Sequence, residues 1–95
     1  MNVIGKKILS EFSARHADVR ERLNAWLNEA EEANWKRSQD IKQRYASASF
    51  LADNIVVFNI KGNDYRLVSK IDYKNQIVLI QKIGTQDGNY RGQIP

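Results

Sequence analysis

The hydrophobic period of the chain changes near residues 52–54, and this change restricts its fold more than any other feature. Before this point, one apolar stripe repeats at steps of three and four residues, which is the period of an α-helix. The stripe consists of Val19, Leu23, Trp26, Leu27, Ala30 and Ala33. After this point, β-branched and aromatic residues form short runs at 55–60, 65–68 and 77–80. Such runs are typical of β-strands. The sequence therefore predicts helices followed by strands, an α+β fold.

Turn signals define how the strands connect. Gly62-Asn63 separates the first two runs, and Lys74-Asn75 separates the second and third. A glycine at the first loop position suits a type II′ turn, because that position needs a positive φ. Two hairpins in series predict a small antiparallel sheet, a three-stranded meander. We also expect a brief edge strand at Val3 and Ile4, helices at 6–14 and along the apolar stripe, and a short helix from Ser38.

Counting outward from the loops assigns each strand residue to one face of the sheet. One face is nearly all apolar and should receive the helices, which makes two or three helices on one side. The other face carries Arg66, Lys70, Asn59 and Gln81 on an apolar ground of Ile55, Val57, Val68, Leu79 and Ile83. This register turns Lys82 toward the helix side. A shift of one residue would exchange the faces of a whole strand.

The composition sets broad limits on function. We predict one domain covering residues 1–95. The net charge of +4 and the pI near 9.5 favour a polyanionic partner such as RNA or a ribosome. The chain has no cysteine, which suits the cytoplasm and excludes thiolate chemistry. With one histidine and no cysteine, we expect no metal site, and no apolar run is long enough for a membrane span.

Several segments resemble one protein family, the HigB toxins of type II toxin–antitoxin systems. The longest is Val-Phe-Asn-Ile-x-Gly-Asn-x-Tyr-Arg-Leu-Val at 57–68, where x is any residue. The opening Met-Asn-Val-Ile-x-Lys-Lys, Ala-Asn-Trp-Lys at 33–36, Tyr-Ala-Ser-Ala-Ser at 45–49 and Gly-Thr at 84–85 add to it. The resemblance covers nearly the whole chain to about Thr85.

This resemblance implies a RelE-like fold and an endoribonuclease that cuts mRNA at the ribosome. It implies a helix-turn-helix antitoxin similar to HigA, and contact with operator DNA only through that antitoxin. The implied reaction needs no cofactor or metal, because the ribose 2′-hydroxyl attacks the adjacent phosphate. A protein accelerates this step by aligning the attack and stabilising the extra charge.

The resemblance also assigns roles to individual residues. Arg66 matches the arginine of the family's Tyr-Arg-Leu-Val segment, and we expect it to be the principal phosphate ligand. Lys70 is the expected supporting charge. Gln86 occupies the catalytic position where the family typically has histidine. The expected RNA contacts are Asn59, Gln81, Lys82, Lys61, Lys74, Tyr90 and Arg91.

Two departures from the family pattern leave the activity open. The family typically shows Ile-Arg-x-x-Gly-Thr-His, whereas this chain has Gln81 for the arginine and Gln86 for the histidine. Glutamine cannot exchange a proton at neutral pH. A catalytically weakened toxin that mainly binds its antitoxin is therefore an alternative, and a non-catalytic RNA-binding module is another. His16 lies between the first two predicted helices, where it cannot reach the opposite face of the sheet.

Overall fold

The computed structural model describes residues 1–85. In these residues it contains three α-helices and five β-strands. The helices are α1 (Lys6–Arg15), α2 (Arg20–Glu32) and α3 (Ser38–Arg44). The strands are β1 (Asn2–Ile4), β2 (Ser49–Leu51), β3 (Ile55–Ile60), β4 (Tyr65–Asp72) and β5 (Ile77–Thr85). The predicted α+β class is confirmed.

The strands form one sheet in the order β1-β5-β4-β3-β2. The predicted meander of β3, β4 and β5 is confirmed, and so is the register of its first hairpin, in which Asn59 pairs with Arg66. Gly62 has the predicted positive φ, at 65°. The predicted edge strand also exists, but it pairs parallel to β5, so the sheet is mixed rather than purely antiparallel. Strand β2, which pairs antiparallel with β3, was not predicted.

The helices pack on the apolar face of the sheet, as predicted. Phe58 on β3 is fully buried and lies at the centre of an aromatic cluster. Its ring centroid is 5.2 Å from that of Trp26, 6.2 Å from that of Trp35 and 5.1 Å from that of Tyr45. These three rings come from α2, from the segment before α3 and from the residue after it, so the cluster joins the helical layer to the sheet.

A β-bulge in β5 changes the register of the second hairpin. Ser69 pairs with Ile80, but the next residue of β4, Val68, pairs with Lys82. Gln81 is therefore an extra residue on β5, and beyond it the faces are exchanged. The sequence-based assignment was wrong here for two residues. Lys82 lies on the face opposite the helices, and Ile83 packs against the core.

Gly5 allows β1 to turn sharply into α1. Its φ is 98°, and a Cβ built there would lie 3.0 Å from the carbonyl oxygen of Ile80. We expect Gly5→Ala to lower the free energy of unfolding by about 1–3 kcal/mol, because both the backbone conformation and this contact are unfavourable for alanine. Urea denaturation measures the change. Gly62→Ala is the matched control. The φ of Gly62 is 65°, but no atom of residues 1–85 lies within 4 Å of the added Cβ, so the loss of stability should be smaller. Equal losses would contradict the role of the Ile80 contact.

Asp18 connects the turn before α2 to the first hairpin. Its carboxylate pairs with the Lys61 ammonium at 2.7 Å and accepts a hydrogen bond from the Tyr65 hydroxyl at 2.9 Å. These two donors hold the pKa of Asp18 below its ordinary value of 3.8. A lowered carboxyl pKa stabilises the fold above the unfolded pKa, and this contribution disappears as pH falls through the folded pKa.

We therefore expect Asp18→Asn to lower the denaturation midpoint at pH 7. The difference from wild type should shrink as the pH falls below 3.8. Urea midpoints measured across this pH range check the prediction. Asp64→Asn, in the hairpin turn that contains Lys61, is the control and should show no such pH-dependent difference. A gap between Asp18→Asn and wild type that persists in acid would contradict the assignment.

Candidate functional site

The face of the sheet opposite the helices carries the cations that the sequence singled out. Arg66, on β4, pairs with Asn59 on β3 and with Gly84 on β5. Lys70 lies four residues farther along β4 and therefore on the same face. Arg66 is half-buried and Lys70 is exposed. We call this surface, defined by Arg66, Lys70 and Lys82, the cationic face.

The bulge places Lys82 between the other two cations. At about 3.3 Å per residue, the Cα atoms of Arg66 and Lys70 are about 13 Å apart along β4. Lys82 pairs with Val68, which is midway between them. Three cations in this arrangement can contact successive phosphates of one nucleic-acid strand, because each phosphate carries a negative charge.

Gly84 brings no side chain beside Arg66. It is the residue of β5 that pairs with Arg66, and a Cβ built on it would meet no atom of residues 1–85 within 4 Å. Backbone without a side chain allows a ligand to approach closely. The fork geometry of the Arg66 guanidinium suits two phosphate oxygens at once.

The other predicted RNA contacts fall into two groups. Gln81 is exposed on the bulge, next to Lys82. Asn59 neighbours Arg66, but its Nδ2 donates to the carbonyl oxygen of Ser47 at 2.9 Å, so part of the amide holds the chain before β2 in place. Lys61 lies in the first hairpin turn, paired with Asp18.

Lys74 lies in the second hairpin turn, at the end of β4 opposite to Arg66. The structure therefore does not bring it together with the cationic face. Gln86, Tyr90 and Arg91 lie outside the described residues. Lys82 and Gly84 are the neighbours of Arg66 whose placement the sequence-based register missed, since both follow the bulge.

His16 lies on the helix side of the sheet. The ring of His16 stacks on Phe12 at 4.1 Å and meets Tyr65 edge-on at 5.7 Å. These contacts hold the imidazole beneath the sheet, away from Arg66. Within residues 1–85, no group of three or more histidine, aspartate and glutamate side chains could hold a metal ion.

Comparison with known proteins identifies the chain. No helix among residues 1–85 is long and apolar enough to cross a membrane. The family profile that matches describes RelE-like toxic components of toxin–antitoxin systems, and it covers residues 19–88. The match includes α2, α3 and the strands β2 to β5. The chain belongs to the HigB toxin family. No curated protein matches it.

Proposed function

We propose that this toxin is an mRNA endoribonuclease that cuts messages on the ribosome without a metal ion. The observation that carries the proposal is the cationic face: Arg66, Lys70 and Lys82 lie together on the side of the sheet away from the helices. Strands hold charges at fixed separations better than loops do. Such an array favours the phosphates of single-stranded RNA.

In the proposed reaction, the ribose 2′-oxygen attacks the adjacent phosphorus and the bond to the 5′-oxygen breaks. The products are a 2′,3′-cyclic phosphate and a free 5′-hydroxyl. The proton of the 2′-hydroxyl leaves during the attack, and the departing 5′-oxygen gains one. Arg66 stabilises the charge that accumulates on the phosphorus oxygens. Lys82 and Lys70 position the flanking phosphates, which aligns the attack.

The proposed setting follows from the family. The toxin acts in the cytoplasm and is neutralised by a helix-turn-helix antitoxin similar to HigA. It contacts operator DNA only through that antitoxin. The net charge of +4 supports attraction to ribosomal RNA, since long-range electrostatics raises association rates with polyanions.

A second function, antitoxin binding with weak or no cleavage, is favoured by one observation. The only histidine of the chain, His16, stacks on Phe12 in the helical layer. General acid–base catalysis typically contributes about 100- to 10,000-fold, and within residues 1–85 the cationic face has no imidazole to supply it. This weakened toxin would still bind its antitoxin through the same fold.

Cleavage of a defined message on translating ribosomes tests both functions. We expect wild-type protein to cut the message, and Lys82→Ala to reduce the rate about 10- to 100-fold, because one charged contact of about 1.5–3 kcal/mol is lost. Lys7→Ala, an exposed lysine on α1, is the control and should leave the rate unchanged.

The outcomes separate the alternatives. Equal losses for Lys82→Ala and Lys7→Ala would contradict the cationic face as the RNA site. No cleavage by wild-type protein, together with tight antitoxin binding, would establish the weakened toxin. RNA binding with neither activity would indicate a non-catalytic RNA-binding module.

A further inference from the structure

Three large apolar side chains within residues 1–85 are exposed by more than a third, and all three lie on the side opposite the helices. Ile4 is 45% exposed, Leu79 is 40% exposed and Leu51 is 37% exposed. They come from β1, β5 and β2, which are far apart in the sequence. The sequence pattern alone therefore does not show that these side chains share a surface. Exposed apolar residues gathered on one surface often mark a binding site.

The sheet register aligns these side chains. Ile4 pairs with Leu79, Leu79 with Lys70, Lys70 with Ile55, and Ile55 with Leu51. The five residues form a single line across all five strands, which we call the cross-sheet row. Its four strand intervals of about 4.8 Å give a length of about 19 Å. Four of its members are aliphatic, and the central one is a lysine.

A hollow borders the row at its centre. Its volume is about 450 Å³, and Asn54, Lys70, Asp72, Ile77 and Leu79 line it. Lys70 is exposed and forms no ion pair with any residue from 1 to 85. The surface thus offers aliphatic contact on both sides of an available positive charge.

We propose that the cross-sheet row is the docking site for an amphipathic helix of the antitoxin that carries a carboxylate at its centre. The helix lies across the strands, with its apolar stripe on Ile4, Leu79, Ile55 and Leu51 and its carboxylate on Lys70. A span of about 19 Å corresponds to about 13 residues at 1.5 Å per residue, an ordinary helix length. The proposal rests on the proposed function for the antitoxin's helical nature and for the second role of Lys70.

Other occupants fit the row less well. A second copy of the chain, related by a two-fold axis through the row, would place Lys70 against Lys70, and like charges facing each other are unfavourable. Single-stranded RNA usually places its bases on aromatic rings, whereas the row is aliphatic. An aliphatic stripe interrupted by one carboxylate is complementary to the row in both shape and charge.

The placement has a consequence for regulation. Lys70 belongs to the cross-sheet row and also to the cationic face. An antitoxin helix on the row therefore removes one of the three cations from the message. Neutralisation of the toxin then follows from competition for this side chain, and no conformational change in the toxin is needed.

Calorimetric titration of the full-length cognate antitoxin into the full toxin chain tests the docking site. We expect Leu79→Ser to weaken binding about tenfold or more, and Lys70→Glu to weaken it further, since central interface contacts dominate affinity. Lys7→Glu repeats the charge reversal on α1, outside the row, and should leave the affinity unchanged. Because Leu79 is exposed, thermal denaturation should show Leu79→Ser to be folded.

The docking site and the ribonuclease proposal can fail independently, because antitoxin binding and message cleavage are measured separately. Antitoxin affinities of Leu79→Ser and Lys70→Glu within about twofold of wild type would overturn the docking site. If Leu79→Ser instead reduced cleavage but not antitoxin binding, the row would belong to the message and the docking site would again be overturned. Loss of antitoxin binding in a protein that never cleaves RNA would support the docking site while the ribonuclease proposal failed. An antitoxin acid-to-lysine variant that restores binding to Lys70→Glu would identify the partner of Lys70.

Discussion

Replacing Arg66 by alanine should reduce message cleavage about 100- to 1,000-fold, the effect of removing one donor that stabilises transition-state charge. Arg66 combines three properties within residues 1–85: it lies on the cationic face, it is half-buried, and its partner on β5 is Gly84, which has no side chain. Partial burial strengthens its interaction with a phosphate, because water screens the charge less. The measurement is the single-turnover rate on translating ribosomes.

Arg37→Ala provides the matched control for this substitution. Arg37 is exposed at the start of α3. Its substitution therefore removes the same charge, but from the helix side of the sheet. We expect its cleavage rate to remain near that of wild type. Comparable losses for the two variants would mean that Arg66 acts only through net charge, and the site proposed here would be wrong. Arg66→Lys separates charge from geometry, since lysine cannot bind two phosphate oxygens as a fork.

The largest loss of stability should come from Phe58→Ala. Phe58 is covered by the helical layer, and 0% of its surface is accessible to solvent. Its ring contacts Trp26, Trp35 and Tyr45. Deleting the ring leaves a cavity that these neighbours cannot fill, so we expect a loss of about 3–5 kcal/mol in the free energy of unfolding.

Urea denaturation with an unchanged m-value measures this loss. Ile4→Ala is the control, because Ile4 is 45% exposed and its truncation removes little buried surface. A loss for Phe58→Ala below about 1 kcal/mol would show that the aromatic cluster is not the centre of the core.

The sequence predicted the fold where local patterns decide it. The helical stripe of α2 and the turn glycine Gly62 are local signals, and they correctly gave the helical layer and the first hairpin. Strand β2 was not predictable in this way. It has only three residues, Ser49–Leu51, and it forms because it pairs with β3, the next strand in the chain. The parallel pairing of β1 with β5 likewise joins the two ends of the sequence.

The candidate site was predictable in part. The register of the first hairpin correctly placed Arg66 and Lys70 on the side away from the helices. The position of Lys82 was predicted wrongly, because regular alternation was assumed through Gln81. The spacing of Ile80 and Ile83 is the one sequence signal that fits the bulge. Both side chains contact the core, but they are three residues apart, which does not fit a period of two.

The bulge at Gln81 also constrains how this strand can diverge among relatives. Closing the bulge with every residue retained would turn Lys82 under the helices and expose Ile83, whereas loss of Gln81 itself would leave both side chains on their present faces. Loss of one residue should therefore be tolerated at Gln81. An alignment with a relative that lacks the bulge should place its gap at Gln81, so that residues on the same face are compared.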